Sequence, residues 1–182
     1  LFISIISYGQ KIDTVYLSAK DSTKNMYIAV VPENKQVKSF LVLLDGFGNS
    51  PQDVLFQTGI PTYASQQGIL TIIPLLKTGP TYFERDSASQ ESLKEMINLV
   101  VNKYQLMGKD LYIGGFSIGG TCAVKYTELS IQNNYPVKPT AVFAIDPPLD
   151  WERYYNGAKR VVRLSDPDNV NGEVFYMINR IE

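Results

Sequence analysis

The stretch Asp110–Val124, DLYIGGFSIGGTCAV, decides the fold of this chain. Its apolar start predicts a short buried β-strand, Leu111–Gly114, and the residues after Ser117 predict a helix that runs from Ile118 to about Ile131. The glycines between them allow a tight reversal of the backbone that β-carbons would obstruct. We therefore expect the serine to lie at the carboxyl end of a strand and at the start of a helix.

Other apolar runs extend this unit into a sheet. Phe40–Leu44 (FLVLL) and Ile69–Leu76 show no polar alternation, as expected for strands buried on both faces of a parallel sheet. Thr140–Ile145 predicts a fourth buried strand, whereas Thr14–Ser18 and Met26–Val31 predict an antiparallel pair. Strands that alternate with helices predict an α/β fold, in which a mostly parallel central sheet carries helices on both faces.

A helix start is predicted near residue 51. Ser50 supplies a hydroxyl cap, Pro51 occupies the first helical position, and Asp53 places an acid in the first turn. We expect this helix to run to about Gln67 and to be stopped by Gly68.

Another helix start is predicted after a polar loop, Lys77–Gln90. The segment Ser92–Glu95 has the pattern of a capping box, which indicates that the helix begins there. The helix after the capping box has apolar residues at helical spacing on one face, namely Leu93, Met96, Ile97, Val100, Val101 and Tyr104.

A further helix is predicted at Gly172–Ile181.

Composition limits the possible partners. The 182 residues are 45% hydrophobic, which is enough for one domain with a sizeable core. Seventeen basic residues against 18 acidic ones give a net charge of -1, and no basic run is dense enough to indicate binding to nucleic acid or to an anionic membrane surface. The single cysteine, Cys122, excludes an internal disulfide and is expected to pack in the core. No cluster of His and Cys predicts a metal, no cofactor is implied, and the expected partner is a small molecule.

Residues 1–9 are interpreted as the remnant of a signal peptide. The apolar run stops at Gly9, is too short to cross a membrane, and lacks both an initiator Met and a charged leading segment. We expect the mature protein to begin near Gln10 or Lys11, to be secreted or periplasmic, and to have no stable membrane insertion. The alternative interpretation is an edge strand.

The turn between the strand and the helix, Gly115–Gly119, which we call the elbow, contains the candidate catalytic residue. Gly115–Gly119 fits the G-x-S-x-G pattern, in which a serine hydroxyl attacks a carbonyl carbon and backbone N–H groups stabilise the resulting oxyanion. One expected donor is the N–H of Ile118 at the start of the helix. The other is the N–H of Phe47, within the glycine loop that follows FLVLL. The alternative is that the glycines and the serine only form a tight connection.

With these elements the chain resembles the α/β-hydrolase superfamily, and within it the bacterial esterase-like members whose elbow reads G-F-S-x-G-G. The resemblance covers most of the chain from about Thr14 and rests on LLDGFGNSP, IIPLL, IGGFSIGG and AVFAIDPPLD. It implies Ser117 as the nucleophile, Phe47 and Ile118 as oxyanion donors, and a carboxylic ester as the substrate. Many relatives have His where this chain has Asp45, a difference that does not exclude activity.

The sequence contains no histidine, and a serine without a base is a weak nucleophile. In the superfamily the acid and the histidine follow the serine, usually beyond later strands. We therefore expect a C-terminally incomplete hydrolase that lacks its last strands, whose histidine lies in absent sequence, and which is inactive as this chain alone. The rival interpretation is a complete protein that binds without catalysis. A peptidase or a thioesterase would use the same parts.

Residues 10–182 are expected to form one incomplete domain, with 151–182 as the start of a cap region. Asp146, which lies with Asp150 at the end of the fourth strand, is a possible triad acid or a cap for the turn at Pro147.

Three aromatic residues, Tyr82, Phe83 and Trp151, are possible substrate-pocket residues or simply packing residues. Asp166 and Asp168 lack the Gly and Glu positions of a calcium loop and are interpreted as a solvated turn. The oligomeric state is not predicted.

Overall fold

The structure is a computed structural model that divides into two compact units, Leu1–Pro147 and Pro148–Glu182. It describes residues 10–17, 25–32, 36–78, 87–165, 172, 174, 175 and 178. The predictions for the signal peptide, for Tyr82 and Phe83, for Asp166 and Asp168, and for most of the helix at Gly172–Ile181 fall outside these residues. The expected single domain with a cap stays a prediction.

The first unit is built on one six-stranded sheet. Its strands are β1 Gln10–Tyr16, β2 Met26–Pro32, β3 Ser39–Leu44, β4 Ile69–Leu75, β5 Asp110–Phe116 and β6 Pro139–Ile145, arranged in the order β1-β2-β4-β3-β5-β6. Strand β2 is antiparallel to both β1 and β4, whereas β3, β4, β5 and β6 are parallel. The predicted mostly parallel sheet with an antiparallel lead-in is confirmed.

Helices cover the two faces of this sheet. The first unit contains α1 Pro51–Gln57, α2 Ile60–Gln66, α3 Ser87–Lys103 and α4 Ile118–Gln132, and the second contains α5 Trp151–Leu164. Phe40 and Val42 of β3 pack in the core with the apolar face of α3 and with α4. Leu41 and Leu43 point to the opposite face and pack in a second core cluster with Val54 of α1. A strand buried on both faces explains why FLVLL has no polar residue.

The first strand lies earlier than predicted. Its pairing with β2 runs from Gln10 opposite Pro32 to Tyr16 opposite Met26, rather than beginning at Thr14. This edge strand contains several polar residues, among them Lys11 and Asp13, which form an ion pair. Its sequence therefore lacks the clear alternation of polar and apolar residues that predicts a strand.

The predicted helix from residue 51 to residue 67 is wrong, because two short helices replace it. The predicted start is present: Ser50 and Asp53 form a capping box. The helix then ends at Thr58, whose backbone is extended at φ −141° and ψ 145°. Pro61, at the start of α2, has no N–H to continue a single helix through this region.

The start predicted for the third helix is also wrong. Helix α3 begins at Ser87, so Ser92 lies inside the helix and is buried. Its hydroxyl accepts a hydrogen bond from the backbone N–H of Lys77 at 3.0 Å. The first turn of the helix is Ser87–Gln90, which contains three polar residues, Ser87, Ser89 and Gln90, and which reads as loop.

The prediction of a fourth buried strand is wrong in its burial. Strand β6 is present, but Val142 is 40% exposed and Ile145 is 44% exposed. Among the described strands β6 pairs only with β5, so its outer edge and part of one face are open. An apolar sequence at a sheet edge cannot be distinguished by pattern from an apolar sequence at the sheet centre.

Candidate functional site

Ser117 occupies a strained turn between β5 and α4. Its backbone has φ 49° and ψ −121°, in a region where residues other than glycine are rare. Although Ser117 stands at the N-cap of α4, its side chain accepts no cap hydrogen bond from the helix. A serine at an N-cap normally stabilises its helix through that bond. The turn therefore carries a hydroxyl at an energetic cost and without the usual structural benefit.

Two glycines make this turn possible. A β-carbon on Gly119 would lie 2.2 Å from the carbonyl oxygen of Asp45, and one on Gly115 would lie 2.8 Å from the carbonyl oxygen of Leu44. Both contacts are with backbone atoms, which cannot move aside as a flexible side chain can. The glycines of the G-x-S-x-G pattern thus bring β5 and α4 into close contact with the end of β3.

Hydrogen bonds fix the backbone of the serine on both sides. The N–H of Ser117 donates to the carbonyl oxygen of Ile145 at 2.8 Å, and the Ser117 carbonyl oxygen accepts from the N–H groups of Gly120 and Thr121. The elbow is therefore tied to the carboxyl end of β6 as well as to its own helix. Such bonds are what hold a strained backbone in place.

The loop after β3 lies against the elbow. A β-carbon on Gly46 would stand 3.8 Å from the β-carbon of Ser117, and Asn49 donates its N–H to the Gly46 carbonyl oxygen at 3.2 Å. Phe47, a predicted oxyanion donor, follows Gly46 in this turn and is partly buried. Ile118, the other predicted donor, is the first residue of α4, where N–H groups have no partner within the helix. The structure thus places both predicted donors in segments adjacent to Ser117.

Asp45 is fully buried at the start of this loop. The sequence singled it out only as a replacement for histidine, and its burial was not predicted. The carbonyl oxygen of Asp45 faces Gly119, so the residue links the loop after β3 to the first turn of α4.

The two acids after β6 have different surroundings. Asp150 caps α5, because its Oδ1 accepts the N–H of Arg153 at 2.9 Å. Asp146 is exposed, has a φ of 51°, and directly follows Ile145, whose carbonyl oxygen holds the elbow. Of the two, Asp146 lies at the same sheet edge as Ser117.

Of the three predicted pocket residues, the structure describes only Trp151. Trp151 begins α5 in the second unit and packs edge-on against Tyr154, with 5.8 Å between the ring centroids. Tyr82 and Phe83 are not described. The pocket therefore stays a prediction.

Cys122 is a buried free thiol on α4. The amide nitrogen of Gln90, from the first turn of α3, approaches the Cys122 sulfur at 3.5 Å and its carbonyl oxygen at 3.4 Å. The thiol packs in the core between helices.

Among the described residues, no group of three His, Cys, Asp or Glu side chains could hold a metal ion. None of the described helices has the length and apolar character required to cross a bilayer.

Comparison with known proteins gives structural matches only. No protein-family model matches the sequence, and no curated protein matches it at a significant level. The chain is similar in structure to EstE7, a homologue of HSL from a metagenome library, with a TM-score of 0.62 and 16% identity over 91% of this chain and 55% of that one. It is also similar to carboxyl esterase 2 of the mycorrhizal fungus Tuber melanosporum, with a TM-score of 0.62 and 14% identity over 96% of this chain and 56% of that one.

The chain has the α/β-hydrolase fold. A third similar structure is fluorophosphonate-binding serine hydrolase F of Staphylococcus aureus with bound substrate, at a TM-score of 0.57 and 14% identity over 94% of this chain and 73% of that one. The chain spans little more than half the length of EstE7 and of the fungal esterase. Several of the solved structures similar to this chain are described as esterases or hydrolases, and at this level of identity the likeness shows the fold.

Proposed function

We propose that this chain is the nucleophile-bearing part of a serine hydrolase that acts on carboxylic esters, with Ser117 as the nucleophile. The observation that carries the proposal is the backbone of Ser117, which is held at positive φ while its hydroxyl caps nothing. If the turn were only structural, a glycine would form it without strain. Retaining a serine there is explained by a use for its hydroxyl.

The backbone N–H groups of Phe47 and Ile118 form the oxyanion hole in this proposal. Attack of the Ser117 oxygen on an ester carbonyl moves negative charge onto the carbonyl oxygen, and two N–H donors stabilise that charge. Ile118 adds the positive end of the α4 dipole. The contact of Gly46 with Ser117 supports the role of Phe47, since it brings the loop after β3 beside the elbow.

The serine needs a base, and the sequence contains no histidine. We propose that the base is supplied by residues other than these 182 and that this chain alone is inactive. Asp146 is the proposed acid, because it is exposed at the sheet edge that also carries Ser117. In the acylation step the serine proton passes to the base and then to the leaving alcohol, and water later releases the acid.

Esters are preferred over peptides and thioesters because one of the similar structures is described as a carboxyl esterase. A secreted or periplasmic location, following removal of residues 1–9, is part of the proposal.

A second candidate is a binding module of the same fold that has lost catalysis. The complete absence of histidine favours it. It does not explain why the strained position 117 is still a serine.

The test is to treat the protein from its native source, and the 182-residue chain beside it, with a fluorophosphonate probe and to map the modified residue by mass spectrometry. Labelling of the native protein at Ser117, lost in Ser117→Ala, supports the hydrolase. Slow or absent labelling of the 182-residue chain supports a base outside it. Absence of labelling in well-folded native protein supports the binding module.

A further inference from the structure

Helix α5 carries a net positive charge in a chain whose overall charge is slightly negative. Four cations and one acid lie within Trp151–Leu164, so the helix carries a net charge of +3 in a chain whose net charge is -1. The rest of the chain is correspondingly acidic. This separation of charge favours the binding of an anionic partner at α5 over the rest of the chain.

Part of the exposed surface of α5 is a strip that combines arginines with apolar residues. Its members lie at helical spacing, are all exposed, and are Arg153, Gly157, Arg160, Val161 and Leu164. Leu164 is 75% exposed and Val161 is 47% exposed. We call these five residues the α5 strip. Ala158, which is buried, lies on the side of the helix away from Arg153 and Arg160.

A surface cleft of about 450 Å³ lies next to the strip and is bordered by two of its members, Arg160 and Leu164, and by Asn156, Lys159 and Arg163. No described carboxylate lies within ion-pair distance of Arg153, Arg160 or Arg163. Lys159 places its ammonium 4.0 Å from the centroid of the Tyr155 ring. Within the described part of the chain, the three guanidinium groups therefore have no acidic partner.

The helix does not have to form on binding. Asp150 caps its first turn, and at its end both the N–H and the hydroxyl of Ser165 donate to the Val161 carbonyl oxygen. A preformed helix avoids the ordering cost that a disordered segment pays when it docks.

We propose that the α5 strip docks on an anionic lipid surface. Arginines beside exposed apolar side chains match a bilayer interface, where guanidinium groups reach phosphate headgroups and Leu164 and Val161 enter the edge of the acyl region. A nucleic acid would use the arginines but would gain nothing from the exposed Leu164. The proposal does not depend on hydrolysis, so its failure and that of the proposed function are separate results.

The experiment is flotation of the full chain with vesicles of phosphatidylcholine alone and of phosphatidylcholine mixed with an equal amount of phosphatidylglycerol. We expect binding to the mixed vesicles only, weakening as salt is added. Each cation near an anionic surface contributes about fivefold, so the pair Arg160→Gln and Arg163→Gln should lower binding by about thirtyfold. The matched control, Lys38→Gln with Lys109→Gln, removes two exposed charges elsewhere and should leave binding unchanged. Circular dichroism checks that both variants are folded.

A second readout reports insertion. Trp151 is the only tryptophan in the chain, so the variant with Trp151→Phe and Leu164→Trp carries a single fluorophore on the strip. Its emission should shift to the blue on mixed vesicles and stay unchanged on phosphatidylcholine. The proposal is overturned by equal binding to both vesicles or by equal losses in the two charge variants. It is also overturned if inorganic phosphate or duplex DNA displaces the protein from the mixed vesicles at the same salt concentration.

Discussion

A β-carbon at position 119 would stand 2.2 Å from the carbonyl oxygen of Asp45, so Gly119 and Asp45 can be neighbours only while residue 119 is a glycine. Because the obstructing atom belongs to the backbone, Gly119→Ala must displace either α4 or the loop after β3. We expect a loss of about 1–3 kcal/mol in the free energy of unfolding, measured by urea denaturation. Gly157→Ala in α5 is the control, since apart from the adjacent residues and the backbone of its own helix no atom lies within 4 Å of the place that its new methyl group would occupy. Equal stability of the two variants would contradict the contact.

A similar clash at Gly114 has a different outcome. A β-carbon there would lie 2.4 Å from the ring of Phe143, which is a side chain on the partly exposed strand β6. We expect Gly114→Ala to destabilise the fold and added Phe143→Ala to recover part of the loss, because the ring that clashes is then gone. A double-mutant cycle by urea denaturation measures this coupling. Purely additive losses would show that the ring moves aside without cost.

The strain at Ser117 is measurable without any substrate. Ser117→Ala and Ser117→Gly both remove the hydroxyl, but only glycine adopts φ 49° and ψ −121° at low cost. We expect the glycine variant to be more stable than the alanine variant by about 1 kcal/mol in urea denaturation. If the alanine variant is as stable or more so, the turn stores no strain and the main argument for a functional serine is lost.

The capping box of α1 should be visible in an acid titration. Hydrogen bonds from the hydroxyl and from the N–H of Ser50 hold the pKa of the Asp53 carboxyl below its ordinary value. A carboxyl whose pKa is lower in the folded state than in the unfolded state contributes stability that is complete above the unfolded pKa. That contribution is lost as the pH falls through the folded pKa.

In Ser50→Ala we therefore expect the pKa of Asp53 to rise and the fall of stability with acid to become shallower, as measured by NMR titration and by unfolding at several pH values. The pKa of Glu128, which is lowered by its hydrogen bond with Lys125, serves as an internal control and should not move. An unchanged Asp53 pKa would mean that the capping box does not form in solution.

The parts of the fold that could be predicted are those in which a local sequence pattern follows from a single structural requirement. FLVLL is apolar at every position because β3 is buried on both faces, and the glycines at 115 and 119 are needed because the backbone passes so close. These two features are enough to indicate the sheet and the elbow. Ser50 and Asp53 also cap the helix as their spacing predicts.

The errors arise where tertiary contacts override a local pattern. Ser92 fits a capping box but is buried inside α3, where it binds the backbone of Lys77. Likewise β6 has the composition of a central strand and lies at the edge. The hydrogen bond from Ser117 to Ile145 joins segments that are distant in sequence, and Asp146, with its positive φ, directly follows Ile145. No local sequence pattern predicts either feature.

The order of the strands has a consequence for synthesis. Strand β3 is made before both of its neighbours, and its second edge stays open until β5 has left the ribosome, long after β4 has covered the first. During that interval the nascent chain exposes one edge of an apolar strand that contains no charged residue. Lys38 and Asp45 stand immediately before and after this strand, where charges discourage pairing between nascent chains. A chain stalled between β4 and β5 would depend on those two charges and on chaperones to stay soluble.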